Sequence, residues 1–292
     1  MAMAALARET PDNHVRDFAV SLLSKATRNA ENRDRLQYFK DAGLKVQSVC
    51  SGIDAVGEAL RLLQLAMQEN AGHAEAAEET DGDDGDLWVV KSSWCDSGAA
   101  QQAFLLARAD QIDGHLRPCL FQSVEDMVAD SVREELGMLT TPACANREQK
   151  TAAAAWYQQL GISLTEKGPL AFPAEHQAFC LVHKQQCQVR QSRCMPAGML
   201  KTNPVLMNCA GLPCVAYSKV GLRRQAADPS EMAVQVYLSE RQQCLEDFFL
   251  FENVSLFPYE KIEQKLRHTH HLVPLTFGPK DCPAAVLLHF TH

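Results

Sequence analysis

Apolar residues recur at helical spacing over residues 14–40 (Val15, Phe18, Leu22, Leu23, then Leu36 and Phe39), broken by Asn and Arg, and predict one or two amphipathic helices. The next stretch, LKVQSVC at 44–50, alternates and predicts a strand. It runs into Ser51-Gly52-Ile53-Asp54 before helical spacing resumes over 56–65, a strand, glycine turn and helix in succession. Leu87, Val89 and Val90 predict a second strand, GAAQQAFLLARA at 98–109 a second helix, and residues 117–121 a third short strand. Such βαβαβ alternation implies a parallel sheet covered by helices on both faces.

Between about 128 and 203 the alternation lapses. An alanine-rich helix at 151–160, the proline-bearing GPLAFPAEH and a cysteine-rich segment predict an irregular insertion. Regularity returns with an apolar strand at 204–209, a helix at 229–245 capped by Asp228, and the strand DFFLF at 247–251. A helix over 258–268 and a terminal hairpin from 272–277 and 285–290 complete the expectation. The chain thus divides into an N-terminal helical flank, 1–43, and one α/β domain, 44–292, with the insertion inside it. No internal repeat is evident.

Composition narrows the class. With 292 residues and 46% apolar content, the chain can fill one large core. No apolar run approaches 18 residues and the N-terminus lacks signal-peptide organisation, so no membrane association and an intracellular location are expected. Eleven cysteines without a regular framework suggest free thiols, metal ligands or a nucleophile rather than disulfides. The net charge of -8 argues against a strongly basic nucleic-acid grip, but the run EAAEETDGDDGD at 75–86 carries most of the excess and the rest is about neutral. Charge therefore neither supports nor excludes a nucleic-acid partner.

Four unusual peptides fall at expected carboxyl ends of strands, where open parallel sheets bind ligands: CSGID at 50–54, WCDS at 94–97, GLPCVAYS at 211–218 and FENV at 251–254. A glycine turn entering a helix N-terminus suits a nucleotide-like cofactor, though such turns also simply join strand to helix. Cys214, at a strand edge after Pro213, is either a nucleophile or a buried structural thiol. Glu252 follows four apolar residues; at the end of a deeply buried strand its pKa would rise and let it donate a proton, whereas at a surface strand end it would be an ordinary acid.

In their order, SGI at 51–53, Pro213-Cys214 with Ser218 following, and Glu252-Asn253-Val254 resemble the DNA (cytosine-5) methyltransferases over roughly 44–290. The resemblance implies a Rossmann-like S-adenosylmethionine-dependent methyltransferase fold, a nuclear location and DNA as the substrate, with transfer RNA as an alternative. It implies that Cys214 attacks C6 of a flipped cytosine, that Glu252 contacts its N3 edge, and that Asn253 braces the Pro-Cys loop. S-Adenosylmethionine would lie over Cys50, Ser51, Gly52, Ile53 and Asp54, near Asp96, Ser123 and Pro213. In this matching the ribose-binding acid falls at Trp94, with Asp96 two residues late, and the acid after the third strand falls at Ser123. Cys50 and Asp54 stand where the family has an aromatic residue and a second glycine, and Val215 follows the Pro-Cys pair. No arginine follows Arg267, and Val286 and Leu288 occupy the places of the family's arginine pair. A non-enzymatic relative serving as an interaction module fits these departures. Separately, Cys180, His183, Cys187 and Cys194 form a C-x2-H-x3-C-x6-C set that could bind zinc or be free cysteines around a short helix. His268, His270, His271 and His289 suggest a solvated, loosely packed end.

Overall fold

The computed structural model describes residues 28–50, 59, 60, 64, 89–112, 116–190, 204–218, 224–244 and 246–275. The order of elements is α1 (Ala30–Ala42), β1 (Leu44–Val49), β2 (Val89–Cys95), α2 (Ala99–Ala109), β3 (Cys119–Phe121), α3 (Asp130–Glu135), α4 (Arg147–Lys167), β4 (Gln177–Cys180), β5 (Gln185–Gln188), β6 (Val205–Gly211), α5 (Ser230–Gln243), β7 (Phe248–Glu252) and α6 (Tyr259–Leu266). Ala59, Leu60 and Gln64 are helical, within the helix expected over 56–65.

Among the described residues five strands form a sheet in the order β3-β2-β1-β6-β7, with every neighbouring pair parallel. The α/β expectation is met: a Rossmann-like parallel sheet covered by helices. Period-2 alternation divides the side chains between its faces. Val49, Cys95, Phe121, Ala210, Phe249 and Phe251 meet α4, α5 and α6 in one cluster. On the other face Val46, Met207 and Phe248 pack with Phe39 of α1 and with Leu60, while Trp94 and Leu120 pack on Leu105 of α2.

The stretch at 128–203 is more regular than expected. Its alanine-rich helix runs 21 residues, capped by a reciprocal Asn146–Gln149 box, and its Ala153, Tyr157, Leu160 and Leu164 enter the main core. The cysteine-rich segment is a two-stranded antiparallel hairpin, β4–β5. Helix α5 departs from one-faced amphipathicity: every residue from Glu231 to Arg241 is buried. It starts one residue later than expected, so Pro229 and not Asp228 takes the cap position; the Asp228 carboxylate still accepts from the Ser230 amide at 3.0 Å.

Other expectations change. Residues 272–275 form no strand, and the remainder of the proposed terminal hairpin lies outside the described residues, as do 1–27 of the N-terminal flank. His270 is not loosely packed: its ring meets Phe249 edge-on at 5.0 Å, and burial followed by the Arg241 charge lowers its pKa. No helix among the described residues is long and apolar enough to cross a membrane.

Candidate active site at the carboxyl edge

The sheet brings three strand ends together on the β1 side. The Cys50 amide donates to the Cys95 carbonyl at 2.7 Å, and the Asp96 amide donates to the Phe121 carbonyl at 3.3 Å. Cys50, in the bend after β1, has φ 50°, a left-handed conformation uncommon for a residue with a side chain. Burial, then the negative charges of Asp96 and Glu125, push its thiol up to about 12. Those charges converge on Cys50 from the loops after β2 and β3. Ser51, Gly52, Ile53 and Asp54 lie outside the described residues.

The resemblance sets Asp96 two residues past its matched position at Trp94; the structure fixes where both stand relative to the end of β2. Opposite Val46 and Gln47 of β1, strand β2 carries Lys91 and Ser93, so Ser92 is an extra residue in a bulge. The Ser92 hydroxyl donates to the Val46 carbonyl at 3.0 Å. Pairing with β1 continues through Trp94 and Cys95, making Asp96 the first residue beyond the strand. Its carboxylate accepts from the Gly98 amide at 2.9 Å, and the residue is buried.

The Ser123 hydroxyl is committed to Glu125, accepting from its amide and donating to its carboxylate. It caps the 3-10 turn Val124–Met127, accepting from the Glu125 amide at 3.0 Å, while Asp126 accepts from the Gln122 and Ser123 amides. A residue not foreseen from sequence joins the two loops: the Gln102 amide nitrogen donates to the Asp96 carbonyl at 2.7 Å and the Gln122 carbonyl at 3.3 Å. Its position one turn into α2 is visible in the sequence, but the two carbonyls it reaches are set by tertiary structure.

On the other side of β1, Gly211 of β6 stands directly opposite Glu252 of β7. The loop 212–214, including Pro213, begins beside that carboxylate. Leu212 is buried, Pro213 and Cys214 are half-buried, and Val215 is 48% exposed. The Asn253 amide nitrogen donates to the Leu212 carbonyl at 3.3 Å, tying the residue after Glu252 to the start of the Pro-Cys loop. The Cys214 carbonyl accepts from the Tyr217 and Ser218 amides at 3.0 and 2.8 Å, closing a helical turn behind the thiol.

Glu252 itself is exposed, and the residues of β7 before it are half-buried. The deeply buried strand expected from FFLF is instead an edge strand, paired only with β6 among the described strands. A run of apolar residues fits either position, because both faces of an edge strand can still touch helices.

Support for the Pro-Cys turn comes from residues the sequence did not single out. The Tyr217 hydroxyl donates to the Glu231 carboxylate at 2.8 Å and accepts from the Lys261 ammonium at 2.7 Å, while Lys261 pairs with Glu231 at 2.6 Å. The ring of Tyr217 also packs on Phe257 at 5.0 Å. Thus α5 and α6 clamp the segment three residues beyond Cys214.

The proposed metal ligands resolve differently. Cys194 lies outside the described residues, but Cys180, His183 and Cys187 converge with Cys119, a residue of β3 absent from the predicted set. Their ligand atoms all lie within 4.8 Å of one another. Comparison with protein-family models, curated proteins and solved structures gives no match for this chain.

Proposed function

We propose that the chain is a cytosine-C5 methyltransferase acting on DNA, with Cys214 as nucleophile and Glu252 as its acidic partner. One observation carries this proposal: a half-buried cysteine and an exposed glutamate stand at adjoining strand ends, and Asn253 links their loops by a hydrogen bond to the Leu212 carbonyl. Strand ends on both sides of a reversal in strand order are where open α/β sheets bind ligands, and here the reversal lies between β1 and β6.

In the proposed reaction, the Cys214 thiolate adds to C6 of an extrahelical cytosine, forming a carbon–sulfur bond and shifting the C5–C6 electron pair toward C5. Glu252 holds the N3 edge of the ring, where a proton or hydrogen bond relieves the developing negative charge. Once C5 carries the methyl group, a base removes its proton, the C5–C6 double bond re-forms, and the Cys214 sulfur leaves. Asn253 acts as a positioning residue.

S-Adenosylmethionine would supply the electrophilic methyl group. Asp96 fits a hydroxyl-bearing ribose, being a buried carboxylate at the first position after β2, with its loop pinned by Gln102. The Ser123 side chain already serves as a helix cap, so at that loop the fit rests on backbone and shape. Cys50, held as a neutral thiol, adds no charge beside the cofactor.

Calorimetric titration with S-adenosylmethionine should give saturable binding, followed by a covalent adduct with duplex DNA containing 5-fluorocytosine. Cys214→Ser should abolish that adduct while retaining cofactor binding. No binding at millimolar cofactor would overturn the methyltransferase proposal, and an adduct surviving Cys214→Ser would overturn the role of the thiol. An adduct formed only with a fluorinated transfer RNA would replace DNA with RNA as substrate.

A further inference from the structure

The geometry points to a structural zinc site formed by Cys119, Cys180, His183 and Cys187, which fastens the β4–β5 hairpin to the edge of the main sheet. It is independent of the methyltransferase proposal. The Nδ1 atom of His183 lies 3.5, 3.3 and 3.6 Å from the sulfurs of Cys119, Cys180 and Cys187 respectively. In a tetrahedral site with Zn–S near 2.3 Å and Zn–N near 2.0–2.1 Å, each nitrogen–sulfur edge spans about 3.6 Å. The three edges lie within about 0.3 Å of that span. Three thiols and an imidazole with no fifth donor in the set describe a closed structural site; three thiolates and one imidazole favour zinc over oxygen-seeking ions such as magnesium or calcium.

The backbone is arranged to hold the first ligand. The amides of Leu120 and His183 both donate to the Cys180 sulfur at 3.4 Å, a pattern that stabilises a thiolate and orients its lone pairs. Residues 181–184 turn tightly between the strands, with Lys184 at φ 55°, so that His183 and Cys187 fall on the same side as Cys180. The Leu181 amide donates to the Leu120 carbonyl at 2.8 Å, bringing the hairpin against β3 and its Cys119.

The hairpin has reason to need a metal. Gln177, Phe179, Gln185, Gln186 and Gln188 are exposed, and of the eight strand residues only Cys180 is buried. A two-stranded ribbon with so little apolar cover is marginal alone. Zinc reinforces the attachment by cross-linking two segments that are far apart in the chain, as metal binding does when it is coupled to folding. Binding requires the three cysteines as thiolates, so their protons leave to solvent as the four coordinate bonds form.

The test uses the full chain purified under reducing conditions from zinc-supplemented cells. Elemental analysis should find one zinc per chain, and replacement by cobalt should give intense tetrahedral d–d bands with a thiolate-to-cobalt charge-transfer band. Cys119→Ser should lose most of the metal or weaken its retention against a competing chelator at least tenfold, whereas Cys194→Ser should keep both. Should Cys119→Ser fail to fold, peptide mapping of the unaltered chain decides. Cys119, Cys180 and Cys187 should resist iodoacetamide until a strong zinc chelator is added, then react together. A metal-free folded protein, equal alkylation with and without chelator, a disulfide among these cysteines, or dependence on Cys194 in place of Cys119 would overturn the assignment.

Discussion

Arg241 sits wholly inside the protein between two carboxylates, 2.6 Å from Glu240 and 2.8 Å from Glu246, with its guanidinium 5.0 Å from the Tyr237 ring centre. One cation cannot neutralise two buried anions. Burial therefore prevails over the attraction of Arg241, and the Glu246 carboxyl is pushed up to about 7. Its unfolded counterpart titrates near the ordinary value of 4.5. Between those values the folded state retains a proton that the unfolded state has released, so stability falls as pH rises through the window. The slope contributed by this group is on the order of 1 kcal/mol per pH unit. Denaturant unfolding from pH 4.5 to 8 should show that decline, and Glu246→Gln should remove much of it and raise the midpoint at pH 8. Parallel curves for the two proteins would exclude Glu246 as the titrating group.

At the level of elements, the Pro-Cys turn depends on helices that meet it only in the folded molecule. Glu231 is 1% exposed and is held by Tyr217, Gln235 and Lys261, whereas Lys261 retains access to water at 26% exposure. Removing Lys261 should therefore be costly mainly through what it leaves behind, a buried carboxylate with hydroxyl and amide donors but no cation. Lys261→Met is expected to lose about 3 kcal/mol of unfolding free energy and to speed alkylation of Cys214, because the turn behind the thiol loosens. Adding Glu231→Gln should recover at least half of the loss, since the glutamine oxygen can still accept from Tyr217 without a charge. Equilibrium unfolding of the single and double variants measures this; no recovery would mean that Lys261 acts through packing of its stem.

Across the whole molecule, the parallel sheet is legible from sequence because each strand pairs an apolar run with a turn or a helical pattern after it. Residues 44–49 show this clearly, as do 205–211. The candidate edge is partly legible too: the Pro-Cys and Glu-Asn-Val peptides adjoin at the β6–β7 pair, where Gly211 faces Glu252. Sequence does not reveal the Ser92 bulge, which depends on pairing with β1, and the apolar run at 87–90 stops several residues short of the end of β2 at Cys95. Nor does local spacing identify Cys119, 64 positions from His183, as a member of the thiol cluster. The distinction between a covered central strand and an edge strand is likewise lost in FFLF, where apolar content alone suggests burial. The strand order divides the edge into two parts, Cys50 and Asp96 just after β1 and β2, and Cys214 in the loop after β6 with Glu252 as the last residue of β7. Under the proposed function, the first part serves the cofactor and the second the base, so the two should be separable. Asp96→Asn keeps an oxygen that can accept from the Gly98 amide and removes only the charge. It should weaken S-adenosylmethionine binding by tenfold or more while changing unfolding free energy by less than about 1 kcal/mol. Cofactor-independent exchange of the cytosine C5 hydrogen, which needs only addition of Cys214 to C6, should persist in Asp96→Asn and vanish in Cys214→Ser. Loss of exchange in both variants, with folding intact, would show that the carboxylate serves the base as well as the cofactor and that the proposed division of the edge is wrong.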